Sequence, residues 1–271
     1  MFGLVARTLP QEKVNMPTLY EELKAALNNE QGIAMATLVS GPGPVGAKLL
    51  VYPDETVHGT LGSSPLDALA IPDTEQAIWR GDPRIHTYVL EGATGAQTFE
   101  VFIEGFPPSP ELIIIGAGHI AIALTAIAKV LNYRVVVIDA RATFATRERF
   151  PHADELIVAW PDEILQKRSL YPSTSVALLT HDPKFDDPAL KILLTRNVGY
   201  IGAIGSRTTS RERAERLKRE DTAEDDIARI HAPIGLNIGA TSPEEIALAI
   251  MAEIVALHHG AEHPTRRAKM A

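Results

Sequence analysis

The residues from Glu111 to Asp139 read ELIIIGAGHIAIALTAIAKVLNYRVVVID, and this stretch decides the fold. An apolar, β-branched run from Leu112 to Ile115 precedes the turn GAGHIA, which begins at Gly116. An apolar helical pattern then continues to Leu131, and a second β run ends at Asp139. Strand, glycine turn, helix, strand and acid in this order are typical of a dinucleotide-binding βαβ unit.

The turn has the features of a phosphate site. Gly116 permits a tight turn directly after the strand, and Gly118 has no side chain to keep a phosphate away from the backbone. The unpaired N–H groups at the helix N-terminus carry partial positive charge, which attracts an anion. The sequence therefore predicts a phosphate-binding turn formed by Gly116, Ala117, Gly118, His119 and Ile120.

The end of the second strand predicts a ribose contact. Asp139 stands where a carboxylate can accept hydrogen bonds from ribose hydroxyls. Arg141 follows two residues later, so a ligand with a 2′-phosphate is also compatible with this position. Two other interpretations compete: a transmembrane helix over residues 112–131, and a similar fold whose turn binds nothing. The two glycines that interrupt the run argue against the membrane helix.

Composition narrows the class of protein. The chain has 271 residues, a net charge of -8, and no cysteine. The negative charge argues against a nucleic-acid partner, and the lack of cysteine excludes disulfides and thiolate chemistry in these residues. The first residues lack an apolar run long enough for a signal peptide. The sequence predicts a soluble, cytoplasmic protein without a membrane or nucleic-acid partner.

The prolines of the segment GFPPSP, residues 105–110, predict a linker, because they can continue neither a helix nor a strand ladder. We predict an α/β protein of two domains. Residues 1–106 form a smaller α+β domain that begins with an arm over residues 1–16. Residues 107–271 form a Rossmann-like parallel-sheet domain, because strand and helix patterns alternate there.

Further candidate residues follow later strands of the second domain. In open parallel sheets, ligands bind beyond the carboxyl ends of the strands. Two such ends carry polar side chains, namely Thr180, His181 and Asp182, and then Gly205, Ser206 and Arg207. The first group supplies a His–Asp pair for proton transfer, or else an Asx-type turn ahead of a helix predicted over Asp187–Asn197. We expect the loop over residues 231–240 to close over these groups.

The histidines near the end of the chain suggest a metal site. His258, His259 and His263 lie close together in the sequence. They stand in a polar tail, and no second group of ligands with metal spacing accompanies them. We therefore predict solvated histidines and no metal site.

Five segments of the second domain resemble the xanthine dehydrogenase accessory factor family, also called the XdhC/CoxI family. They are GAGHIA, VVVIDAR followed by FATRERFP, LLTHDPKFD, YIGAIGSR and HAPIGLNIGA. They occur in the order of the family and cover about Ile113 to Gly260. The first domain resembles the family more loosely, through GAKLLVYPDETVHGTLG and FEVFIE.

The resemblance implies a maturation factor. It implies binding of the molybdenum cofactor, as molybdopterin or molybdopterin dinucleotide, for insertion into a molybdenum hydroxylase such as xanthine, aldehyde or carbon monoxide dehydrogenase. The implied partners are the apo-hydroxylase, a cysteine desulfurase and a molybdopterin cytidylyltransferase. A homodimer is left open.

The chain departs from the family at its cysteines. Pro65 stands where many members have a cysteine, and Gly95-Ala96-Gln97 stands where many have Cys-Gly-Gly. Sulfur for the cofactor must therefore come from a partner protein. Two other functions are also compatible with the sequence. One is an NAD(P)-dependent oxidoreductase using His181 and Asp182 as catalytic residues, and the other is a nucleotide-sensing regulator. We favour the accessory protein, which is not an enzyme.

Overall fold

The structure is a computed structural model that describes residues 17–29, 31–92 and 95–261. The chain divides into two compact units, Met1–Pro108 and Ser109–Ala271. The arm predicted over residues 1–16 lies outside the described residues. Of the helices in the described ranges, none combines the length and the apolar character needed to cross a membrane.

The first unit is an antiparallel sheet with helices. Its elements in chain order are α1 (Leu19–Asn28), β1 (Ile33–Ser40), β2 (Lys48–Val51), β3 (Val57–Gly59), α2 (Ser64–Arg80), β4 (Arg84–Gly92) and β5 (Gly95–Phe106). Within the described part of this unit, the strand order is β3-β2-β1-β5-β4, and each neighbouring pair is antiparallel.

Helix α2 covers one face of this sheet. Alternate residues of β1 and β5 are buried under it, because successive side chains of a strand point to opposite faces. At Gly105 the helix lies so close that a Cβ atom would overlap the carbonyl group of Ala77. Only glycine fits this approach between helix and strand.

The second unit alternates strands and helices. Its elements are β6 (Glu111–Ile115), α3 (His119–Val130), β7 (Arg134–Ile138), β8 (Glu155–Ile157), α4 (Pro161–Lys167), β9 (Thr174–Leu178), α5 (Pro183–Leu194), β10 (Tyr200–Ala203), α6 (Arg207–Arg219), α7 (Glu224–Ala228), β11 (Ile230–His231) and α8 (Pro243–His258).

The described strands of the second unit form a parallel sheet in the order β11-β10-β9-β6-β7-β8. This is the doubly wound order of Rossmann folds, and the order reverses between β6 and β9. The predicted α/β class is therefore confirmed.

Both faces of this sheet are buried, which explains the continuous apolar run LIII in β6. Leu112 and Ile114 pack with α3 and α8 on one face. Ile113 and Ile115 pack with α4 and α5 on the other face. A parallel strand covered on both sides has no polar face, so its sequence does not alternate.

One boundary prediction is wrong, and it concerns a candidate site. Helix α5 begins at Pro183, not at Asp187. Asp182 caps the helix by accepting a hydrogen bond from the Lys184 backbone N–H at 3.1 Å. Pro183 and Pro188 are both compatible with a first helical turn, and the cap at Asp182 selects the earlier start.

An ion-pair network joins the amino-terminal ends of three strands. Arg168 contacts Glu111 of β6 at 2.5 Å and Glu155 of β8 at 2.9 Å. Arg134 of β7 contacts Glu155 at 2.7 Å. The hydrogen bond from Arg168, with that from Arg134, lowers the pKa of Glu155 to about 2.

We expect Glu155→Gln to lower the free energy of unfolding by about 1 kcal/mol at neutral pH, since half-exposed pairs contribute modestly. The folded pKa of Glu155 lies below its ordinary value of 4.5. The contribution is therefore complete above about pH 4.5 and is lost as the pH falls toward about 2. Urea unfolding of both proteins over this range measures it. The exposed Glu148→Gln is the control, and a difference independent of pH would contradict the assignment.

Candidate functional site

Gly116 forms the turn at the point where the strand order reverses. It follows β6 directly, has φ +102°, and donates a backbone hydrogen bond to the carbonyl of Ile138 at 2.8 Å. A Cβ atom here would lie 2.9 Å from the Thr180 methyl carbon and 3.1 Å from the carbonyl carbon of Leu179. Conformation and space therefore both require glycine.

Gly118 is glycine for a different reason. It is the N-cap of α3, with φ -77° and ψ -171°, values that any residue adopts. Among the described residues other than its chain neighbours, none has an atom within 4 Å of a Cβ atom built on Gly118. Within the described ranges, no side-chain cap bonds the first amides of α3, which begins at His119, so these N–H groups lack the usual capping partner. Uncapped helix N-terminal amides are groups that anions bind in other proteins, and anion binding at this turn stays a prediction.

Asp139 lies beneath this turn and is buried, with only 2% of its side chain exposed. Its Oδ2 accepts hydrogen bonds from the Ala117 backbone N–H and from Arg141 Nη2, both at 2.8 Å. Its Oδ1 accepts hydrogen bonds from the backbone N–H and Nε of Arg141, both at 2.9 Å. Burial raises the pKa of Asp139, but these hydrogen bonds outweigh it and hold the pKa below its usual value.

Arg141 is therefore fixed beside the turn. Its guanidinium carbon lies 4.5 Å from the ring centre of Phe144 and 5.8 Å from that of Phe185. Its side chain remains 43% exposed. Trp160 packs against Phe185 with ring centres 4.9 Å apart and ring planes tilted by 36°. A cation and three aromatic rings thus lie together beyond the ends of β7, β8 and β9.

The His181–Asp182 pair does not have the arrangement of a catalytic dyad. His181 is exposed and adopts a left-handed conformation with φ +60°. Asp182 directs Oδ1 to the Lys184 N–H as the α5 cap, and its Oδ2 lies 3.4 Å from Lys184 Nζ. Thr180 also faces inward and donates to Asp186 Oδ1 at 2.6 Å. The Asx-type interpretation of this segment is therefore favoured by the geometry.

Two charged residues that the sequence did not single out, Asp186 and Arg213, connect this segment to the next strand end. Both are nearly fully buried, and Arg213 Nη2 donates to Asp186 Oδ2 at 3.2 Å and to the Ile204 carbonyl at 2.9 Å. Burial raises the pKa of Asp186. Among the described residues, Arg213 Nε and Nη1 have no hydrogen-bond acceptor. One sequence feature could have indicated a buried Arg213: it lies four residues before Leu217, on the same buried face of α6.

The Gly205-Ser206-Arg207 segment starts α6. Gly205 has φ +147°, and Ser206 caps the helix by accepting from the Thr209 N–H at 3.1 Å. Arg207 is exposed in the first turn. In the described part of the chain it forms no hydrogen bond with the glycine turn or with Asp139. Hydrogen bonds thus join the glycine turn to Asp139 and Asp139 to Arg141, whereas among the described residues no hydrogen bond joins Arg207 to these groups.

The loop predicted to cover the site is fastened at its start by a buried acid. Glu253 of α8, also not foreseen, accepts hydrogen bonds at Oε2 from Tyr200 Oη at 2.6 Å and from the Gly235 N–H at 2.8 Å. His231 Nδ1 lies 3.6 Å from Glu253 Oε1, and its ring stacks on Tyr200. Ile234 donates to the carbonyl of Ala203, at the end of β10. Closure over a ligand stays a prediction.

The structure also describes Pro65 and two of the three histidines near the end of the chain. Pro65 lies in the first turn of α2, where the Asp67 carboxylate accepts hydrogen bonds from the Leu61 N–H and the Thr60 hydroxyl, each at 2.7 Å. His258 and His259 meet edge to face at 5.2 Å. His263 lies outside the described residues.

The fold and the glycine turn define a Rossmann-domain protein with a second, antiparallel α+β unit. Residues 112–254 match the model of the XdhC Rossmann domain, and residues 26–89 match that of the XdhC and CoxI family. The chain belongs to the XdhC and CoxI family.

Two curated relatives and one solved structure are similar to the chain. A probable xanthine dehydrogenase subunit of Bacillus subtilis (strain 168) is 35% identical over 159 residues, which cover 59% of this chain and 46% of that protein. The molybdenum cofactor insertion chaperone PaoD of Escherichia coli (strain K12) is 25% identical over 209 residues, which cover 74% of this chain and 58% of that protein. The chain thus spans about half the length of the curated relatives it matches.

The solved structure supports the fold alone. A crystal structure described as a xanthine dehydrogenase from Bacillus halodurans aligns with a TM-score of 0.51 and 23% sequence identity. The alignment covers 91% of this chain and 97% of that chain.

The two glycines of the turn give a matched test of stability. We expect Gly116→Ala to destabilise the protein by about 1–3 kcal/mol, because the left-handed backbone and the Thr180 methyl both oppose a Cβ atom. Gly118→Ala should change stability by less than about 0.5 kcal/mol, because its Cβ atom enters open space. Thermal unfolding of both variants measures this, and equal losses would contradict the two different reasons for glycine.

Removing the acid under the loop should loosen that loop. We expect Glu253→Leu to increase hydrogen exchange at the Gly235 amide by about tenfold or more, because its acceptor is lost. The amides of β6, on the same sheet, serve as the internal control. Unchanged exchange at Gly235 would show that Glu253 does not fasten the loop.

Proposed function

We propose that this chain is a maturation factor that binds a molybdenum cofactor, as molybdopterin or its dinucleotide form, and assists its insertion into a molybdenum hydroxylase. The observation that carries the proposal is the turn at Gly118. There, in a domain of the XdhC type, the described residues leave space around the Gly118 Cα atom and provide no side-chain cap for the first amides of α3. The insertion-chaperone name of one relative adds support.

The residues present fit a phosphate-bearing cofactor. The first amides of α3 would hold a phosphate, and Arg141 stands beside them with an exposed cationic side chain. The bound cofactor supplies the molybdenum chemistry of the client enzyme. The residues of this chain bind, orient and release it. The 271 residues contain no cysteine, so the sulfur of the cofactor would come from a partner such as a cysteine desulfurase.

The geometry favours a carrier over an NAD(P)-dependent oxidoreductase. An oxidoreductase needs a proton-transfer group aligned with the hydride path. Asp182 engages the start of α5 and Lys184, and His181 is an exposed residue in a left-handed turn. The apo-hydroxylase is the proposed client. A molybdopterin cytidylyltransferase and a second copy of this chain are further proposed partners, and the cytoplasm is the proposed compartment.

We expect Gly118→Val to abolish cofactor binding while the fold survives, because a branched side chain would occupy the space beside the α3 amides. Gly118→Ala should lose less, about tenfold, because its side chain is smaller. Calorimetry with cofactor released from a purified molybdenum hydroxylase measures the affinity, and activation of the apo-hydroxylase by each loaded variant measures delivery. Wild-type affinity in Gly118→Val would refute the site.

The rival function has its own test. The purified protein is incubated with NADH or NADPH and a panel of aldehydes and ketones, and absorbance is followed. We expect no turnover, because the described residues place no proton-transfer pair at the turn. Multiple turnovers that are lost in His181→Ala would contradict the carrier function and support an NAD(P)-dependent oxidoreductase.

A further inference from the structure

The hydrogen bonds of Asp139 leave no place for a ribose. Each carboxylate oxygen accepts two N–H groups; of the four donors, one belongs to Ala117 and three belong to Arg141. A carboxylate offers about four lone-pair sites, and all are used. Its side chain is also 2% exposed, so a ribose hydroxyl could reach it only if Arg141 moved away.

The same contacts hold Arg141 in a fixed orientation. Nε and Nη2 bind the two carboxylate oxygens side by side, the bidentate geometry that fits guanidinium and carboxylate. Phe144 lies under the guanidinium at 4.5 Å. Nη1 donates to no protein group among the described residues, and the side chain is 43% exposed. One nitrogen of a fixed cation is thus free for a ligand.

Arg141 also lies next to the phosphate turn. Asp139 Oδ2 accepts hydrogen bonds from both Arg141 Nη2 and the Ala117 N–H, so these donors are separated by a single oxygen atom. The hydrogen bonds with Asp139 and then its negative charge, with a smaller contribution from the charge of Asp182, raise the pKa of Arg141. Asp182 is itself within 3.4 Å of Lys184 Nζ, which offsets its negative charge toward an approaching anion.

We propose that Arg141 determines ligand specificity by binding a phosphomonoester, and that Asp139 is the positioning residue that holds it there. The site would then prefer ligands with a terminal phosphate group and would not recognise a ribose diol. The inference rests on the proposed function for the location of the ligand. Two sources share this chemistry: a phosphorylated nucleotide, and molybdopterin that ends in a phosphate.

NADP⁺ and NAD⁺ are matched probes, because they differ by one phosphomonoester. We expect the wild-type protein to bind NADP⁺ at least about tenfold more tightly in calorimetry. Arg141→Gln should abolish this preference, and Arg141→Lys should restore part of it, because lysine keeps the charge without the bidentate hold. Asp139→Asn should weaken the preference, because an amide side chain cannot accept all four N–H groups and so holds Arg141 less firmly.

Arg196→Gln is the control, with the same change of charge on an exposed arginine just after α5, at the end of the sheet opposite the glycine turn. It should keep the preference. Equal wild-type affinities for the two nucleotides, or a preference that survives Arg141→Gln, would overturn the inference. Thermal unfolding of each variant verifies that it is folded.

The second arm compares molybdopterin with its dinucleotide form, each released from a purified molybdenum hydroxylase. We expect the phosphate-terminated form to bind more tightly, and Arg141→Gln to remove the difference. Tighter binding of the dinucleotide form would overturn the inference while leaving the carrier function intact. If neither form binds but NADP⁺ preference depends on Arg141, the carrier function fails and the specificity assignment stands.

Discussion

The candidate site at the glycine turn depends on the hydrogen bonds that the buried Asp139 carboxylate accepts. An ionised carboxylate removed from water must be compensated by hydrogen bonds or an opposite charge. Here one backbone N–H comes from the glycine turn, and the other three donors come from Arg141. The end of β7, the turn after β6 and the cation therefore form one rigid assembly. Removing any one partner would leave a buried charge or donor unsatisfied.

Much of the second unit could be predicted from its sequence. Continuous apolar runs indicated strands, and the glycine turn indicated the strand-to-helix crossover. Gly116 and Gly118 were correctly placed at the turn, because backbone conformation is a local property. The start of α5 was missed because two prolines each suited the first turn, and the cap by Asp182 was decisive. These features depend on a few neighbouring residues.

The partners of the buried charges could not be predicted, because they depend on tertiary distances. Asp139 and Ala117 are 22 residues apart in the chain, Asp186 and Arg213 are 27 apart, and Glu253 and Tyr200 are 53 apart. From the sequence, an acid at the end of the second strand predicts a ribose contact. The sequence does not show that an arginine already occupies both oxygens of its carboxylate. The spacing of Asp139 and Arg141 was visible, but only the structure shows the bidentate pair.

The three buried acids perform a similar physical task, and this bears on how a carrier works. Asp139 holds the glycine turn, Asp186 joins the start of α5 to the end of β10, and Glu253 fastens the loop after β11. Arg141, which we propose to bind the ligand, is instead exposed and already in position, which would reduce the entropy lost on binding. The charge of Arg141 is partly neutralised by Asp139, so a phosphate bound as we propose would meet a compensated cation. Attraction to such a cation is weaker than to an isolated one, and weaker attraction would suit the reversible binding that the proposed carrier function requires.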